Sequence, residues 1–86
     1  MTNRPTELKD TVEQMLSDDF KERFKAEYTQ LRIRRRKLDN LIDDALNDTL
    51  TFTPACSIEL LMSQVAAMDT YLLILRERAR IEHIEL

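Results

Sequence analysis

Two stretches of the chain carry apolar residues at helical spacing. In residues 57–80, Ile58, Val65, Leu72 and Ala79 recur every seven residues, with Leu61, Met68 and Leu75 interleaved. That is an apolar seam of the kind a helix lays against a neighbour, and Ser57 stands where an N-cap belongs. Leu60, Met62, Ala66, Ala67, Tyr71, Leu73 and Ile74 widen the face well beyond one stripe. A helix this apolar calls for several neighbours, and in so short a chain copies of itself are the nearest supply. In residues 18–47 a second seam runs through Phe24, Leu31, Leu38 and Ala45, again seven apart, with Tyr28, Leu41 and Ile42 beside it.

The segment between the seams, residues 47–56, reads as a loop. Pro54 lacks an amide donor and the threonines are β-branched. Leu50 and Phe52 are expected to tuck over the end of the helical pair. Two long helices joined by a short loop predict an antiparallel helical hairpin. Upstream, residues 1–5 read as a tail, and Thr6 as the cap of a short helix over 7–16 whose Leu8, Val12, Met15 and Leu16 share a face. Ser17, Asp18 and Asp19 form a second N-cap signal, which predicts a break or kink before the long helix. The organisation expected is an N-terminal tail and short helix over 1–17 and a hairpin domain over 18–86, one domain overall.

Composition narrows this further. None of the 86 residues is glycine, which excludes phosphate-cradling glycine loops and disfavours tight β-hairpins, leaving an all-α chain. A core this small calls for a staple. Cys56 is the only cysteine, so no disulfide forms within one chain, and Cys56 and His83 alone make a zinc site improbable. Association with other copies remains, as a homo-oligomeric helical bundle. No unbroken apolar run reaches the roughly 18 residues that span a bilayer, and the polar N-terminus is no signal peptide, so no membrane partner is expected.

The net charge of −3 hides a segregated pattern. Residues 20–37 hold eight Lys/Arg against Glu22 and Glu27, and the segments on either side are acidic. A general DNA or RNA binder carries basic charge throughout its domain, so a compact anionic ligand fits better than a long phosphate backbone. Arg32, Arg34, Arg35, Arg36 and Lys37 point around the whole helix at about 100° per residue. Arg35 falls almost on the seam, where an unpaired guanidinium is costly. With Ala45 opposite about Glu59, residue 35 stands level with about Asp69. Three readings stay open for Arg35: an ion pair with Asp69 helped by Gln64, contact with an anionic ligand, or solvent.

Other residues read as structural. Tyr28 and Tyr71 fit core or interface, and Met15, Met62 and Met68 fit packing. His83 reads as a solvated residue near a fraying terminus, and Asp18-Asp19 and Asp43-Asp44 as capping or solvated acids. Cys56 has no base motif beside it, and no carboxylate pair or Ser/His/Asp arrangement stands out. No enzyme activity, metal or cofactor is expected.

The second helix contains Glu27, Tyr28, Leu31, Arg34, Lys37, Leu38 and Leu41. The third contains Leu60, Leu61, Gln64, Met68, Tyr71, Ile74, Leu75 and Arg78, and Phe20-Lys21-Glu22-Arg23 precede both. Together these resemble the helical-hairpin family of phage anti-CBASS proteins, the cyclic-nucleotide sponges, and related small proteins of crAss-like phages, over roughly residues 18–82. The resemblance implies a non-catalytic homo-oligomer, often a hexamer. It would bind a cyclic dinucleotide or trinucleotide immune messenger in the cytoplasm of the infected bacterial host. It implies Phe20 as the base-stacking aromatic and Lys37 as a ligand-serving cation, with Arg23 and Arg34 nearby. Two positions depart from the family pattern. Phe20 stands where tyrosine is usual, and Arg35 where an aliphatic residue is. The alternatives are an adaptor hairpin that docks on a protein partner through its apolar face, and a small nucleic-acid-binding regulator using residues 32–37.

Overall fold

The structure, a computed structural model, describes residues 7–86, and these are helical without a strand. A 3₁₀ turn over Leu8–Thr11 runs into a short helix α1 (Val12–Met15), followed by α2 (Phe20–Leu46) and α3 (Ile58–Glu82). The expected Thr6 cap and the tail over 1–5 lie outside the described residues.

The caps follow the sequence signals. Asp19 is the N-cap of α2, its Oδ1 accepting from the Lys21 amide at 3.0 Å, and Ser17 Oγ accepts from the Asp19 amide at 3.1 Å. The chain therefore breaks between the short and long helices. Ser57 caps α3 by accepting from the Leu60 amide at 3.2 Å. With no glycine available, the left-handed positions that close the two long helices fall to Asp48 (φ 58°) and His83 (φ 59°). After α2 the Thr49 amide reaches back to the Asp44 carbonyl at 2.9 Å, and after α3 the Ile84 amide reaches the Ala79 carbonyl at 2.9 Å. Both are Schellman-type closures.

Contacts between α2 and α3 step in opposite senses along the chain. Lys21 meets His83, Phe24 meets Arg78, Tyr28 meets Arg76 and Arg35 meets Asp69. Every seam residue of α3 is buried or half-buried, and Phe24, Tyr28, Leu31, Leu72, Leu75 and Ala79 form the centre of one core. Ile84, just beyond α3, joins that core at 6% exposure, although His83, Glu85 and Leu86 around it are exposed. The opposite side of α2 buries Ala26 and Ile33, and it is α2 that the 3₁₀ turn and α1 pack against.

Two expectations need correction. The first helical segment is a 3₁₀ turn followed by a single α turn, and its buried residue is Thr11 rather than the apolar set. Thr11 donates to the Leu8 carbonyl at 2.7 Å and accepts from Gln30 Nε2 at 2.8 Å, while Val12, Met15 and Leu16 are exposed. A four-residue turn is too short to lay a whole apolar stripe on α2, so the polar anchor decides its seat. In the loop, Leu50 is half-buried but Phe52 is exposed, because α2 and α3 already close their own ends. By length and composition alone α3 is also apolar enough to cross a membrane, with 17% of that stretch buried, although no unbroken apolar run reaches 18 residues. Ser63, Gln64, Asp69 and Thr70 interrupt the apolar run without making the helix polar on average.

Candidate functional site

The cations of α2 are arranged by its pitch. Residues 25, 28, 29, 32, 35 and 36 fall on adjoining rows, three and four apart, so they share one broad face. That face is the floor of a groove of about 740 Å³. Gln14 of α1 lies on one side, and Asp69, Leu72 and Arg76 of α3 on the other. Five cationic side chains (Lys25, Arg32, Arg35, Arg36 and Arg76) line it against one acidic side chain, Asp69, and the final residue Leu86 lines it too.

Tyr28 organises the middle of this groove. Its ring is 8% exposed, and the Arg32 and Arg76 guanidinium carbons each lie 5.8 Å from the ring centroid. Arg76 Nε also donates to the Tyr28 hydroxyl at 2.9 Å. A guanidinium held on an aromatic face by this contact stays in place while keeping its other N–H groups free to donate. Tyr28 is thus core, as expected, with a second role as a seat for two arginines.

Arg35 has the partner that register arithmetic assigned to it. Its Nε and Nη2 reach Asp69 Oδ1 and Oδ2 at 2.9 and 3.4 Å, and Asp39 Oδ2 lies 3.5 Å from Nη1. Asp69 holds the guanidinium charge in place and raises its already high pKa. The helper is Asp39, one turn along α2, in place of Gln64, which is exposed.

The four residues implied by the family resemblance lie elsewhere. Phe20 is 47% exposed at the start of α2, its ring tilted against Phe24 with centroids 6.1 Å apart. Arg23 Nη1 donates to the Ser17 carbonyl at 2.8 Å. Arg34 is exposed. Lys37 Nζ pairs with Glu7 Oε2 at 2.9 Å, and this cation holds the Glu7 carboxyl below the usual carboxylate range. Phe20 and Lys37 are separated by about 26 Å along the helix axis at 1.5 Å per residue. One chain does not bring them onto a common small ligand.

Sequence reasoning missed Arg76, although the signal was there. The register that places residue 35 level with 69 also places 28 close to 76. Outside the groove, Tyr71 donates to the Glu27 carboxylate, which raises the Tyr71 pKa by favouring the protonated phenol. Among the described residues no group of three His, Cys, Asp or Glu side chains is placed to hold a metal ion.

The family model named Sequestin matches residues 18–81 of the chain. A search of curated proteins finds no match, and neither does a search of solved structures. The match spans most of the chain, including all of α2 and nearly all of α3, so the chain belongs to the Sequestin family, whose name describes a sequestering role.

Proposed function

We propose that this member of the Sequestin family is a non-catalytic phage anti-defence protein. It sequesters cyclic di- or oligonucleotide immune messengers in the cytoplasm of the infected bacterial host. The working unit is a homo-oligomer of antiparallel helical hairpins, a hexamer in the form that the resemblance implies. Phe20 stacks a base, and Lys37 with Arg23 and Arg34 meets the phosphates, since guanidinium and ammonium groups bind phosphate strongly when desolvated.

The observation that carries this reading is the concentration of cations on α2 in a net-acidic chain of a sequestering family. Two further features support it. Phe20 and Lys37 lie too far apart on one helix to grip one ligand, so a second copy has to supply one of them. The outer face of α3, with Leu60, Met62, Tyr71, Leu73 and Ile74 exposed, offers such a copy a surface to pack on.

The test is calorimetry and thermal melting with a panel of cyclic di- and trinucleotides, beside a native mass measurement. A cyclic dinucleotide at 100 times its dissociation constant stabilises the fold by about 2.7 kcal/mol. Phe20→Ala and Lys37→Ala each abolish cyclic-dinucleotide binding and leave the assembly intact. Wild-type affinity in both variants would defeat the residue assignment. A panel that leaves the melting temperature unmoved in a chain that still self-associates would favour the adaptor reading, which the same exposed face of α3 supports.

A further inference from the structure

The groove on α2 is built differently from the Phe20 end of the helix, and the difference bears on what it recognises. Its five cations come from both long helices, so the fold itself converges them. Like charges at this spacing repel unless an anion lies among them, and Asp69 is the one acidic side chain in the lining, which also includes the final residue, Leu86. Arg35 is already engaged by Asp69 and Asp39, and Lys25 pairs with Glu22 at 3.5 Å. Arg32 and Arg76 are fixed over Tyr28, each 5.8 Å from the ring centroid, with their side chains exposed to solvent. The Tyr28 ring is 8% exposed and has no free face on which a base could stack. Ile33 and Leu72 add an apolar floor but no further aromatic surface.

We propose that this groove is a binding site for a compact, multiply charged phosphate anion, read through its charges and indifferent to any attached base. Planar guanidinium forks match phosphate oxygens in pairs, and Arg32 with Arg76 presents two of them around one ring. A volume of about 740 Å³ suits a small ligand. The acidic segments on either side of the basic block disfavour a polynucleotide running through it. The site goes beyond the cyclic-nucleotide reading and does not depend on it, since it shares no residue with Phe20, Arg23, Arg34 or Lys37.

The probe is inorganic tripolyphosphate, titrated calorimetrically into the full chain at fixed low salt, with cyclic dinucleotide titrated in parallel. Wild type binds tripolyphosphate, and Arg32→Gln weakens it about tenfold, the scale of one charged hydrogen bond. Arg32→Lys restores part of the loss by returning the charge without the fork. Arg32 is exposed, so its variants keep the fold, and melting curves check this. Phe20→Ala binds tripolyphosphate as wild type does. Absence of binding by wild type, or unchanged affinity in Arg32→Gln, overturns the site. So does tighter, steeply salt-dependent binding of random-sequence oligonucleotides, which would assign the groove to nucleic acid. Loss of assembly in Arg32→Gln with no change in anion affinity also overturns it, because the groove would then hold a second copy. Failure of the cyclic dinucleotide alone to bind counts against the proposed function and leaves this site standing.

Discussion

α2 and α3 are of similar length, and the more polar of the two is the better buried. α2 carries the basic block yet buries Phe24, Ala26, Tyr28, Leu31, Ile33 and Ile42. α3 is the more apolar helix, yet it buries only Val65, Leu72, Leu75 and Ala79. The cause is position. α2 is packed on two sides, by α3 and by the 3₁₀ turn with α1, whereas α3 touches no described element but α2. Burial here follows the number of neighbours, so the apolar surplus of α3 is a face without a partner in one chain. Exposed apolar area of that kind marks an interaction surface. The more polar helix, once covered on two sides, is left to display its cations in a groove.

The sharpest way to break this contrast is to cut apolar side chains on the two faces of α3. Leu75→Ala removes a side chain that is 1% exposed and destabilises the fold by about 2–5 kcal/mol in urea unfolding, through lost burial and a cavity. Leu73→Ala, at a position 62% exposed, changes the unfolding free energy of a single chain by less than about 0.5 kcal/mol but weakens self-association in sedimentation. Equal losses from the two substitutions at a concentration where the chain is monomeric would refute the one-sided packing of α3.

A smaller effect tests the polar join between the helices. Asp69→Ala removes the forked partner of Arg35 and costs about 0.5–1 kcal/mol, a modest figure because both side chains are partly exposed and Asp39 remains within reach. Salt screens part of this difference, so the gap between wild type and variant narrows as ionic strength rises. Unchanged stability at low salt would remove the pair as a fastener.

The smallest effect concerns the strap on the other side of α2. Lys37 lowers the Glu7 pKa in the folded chain, so the pair contributes stability that is complete above the ordinary glutamate range. That contribution is lost as pH falls through the lowered value, when the folded carboxyl takes up its proton. Glu7→Gln flattens the acid limb of a stability–pH curve over that window. An identical acid limb in wild type and variant would show that the pair does not bear on folding.

Much of the fold was legible because it rests on local rules. The heptads at Phe24–Leu31 and at Ile58–Val65–Leu72–Ala79, the Asp19 and Ser57 caps and the break before α2 are set by nearest neighbours along the chain. Arg35 with Asp69 was legible too, since two rods and a short loop leave little freedom of register. The seats of Thr11, Phe52 and Ile84 were not. Each depends on whether a particular neighbour covers it, and periodicity carries no information about that. The site divides in the same way. The basic block stands out in the one-dimensional charge pattern, but Arg76 becomes part of it only through contact with Tyr28 across the helix pair.

By itself the amino-acid sequence determined two long amphipathic helices, the points where they start and stop, and a cationic stretch in an acidic chain. Those follow from side-chain period, capping chemistry and charge, which act over one or two helical turns. Only the tertiary structure decided which cations converge and which disperse. Helical pitch spreads residues 32–37 around the axis, and the packing of α3 and the N-terminal turn against α2 leaves Arg32, Arg36 and Arg76 facing one groove while Lys37 turns to Glu7. Distance in space, which the pitch of one helix cannot set without its neighbours, is what makes a site.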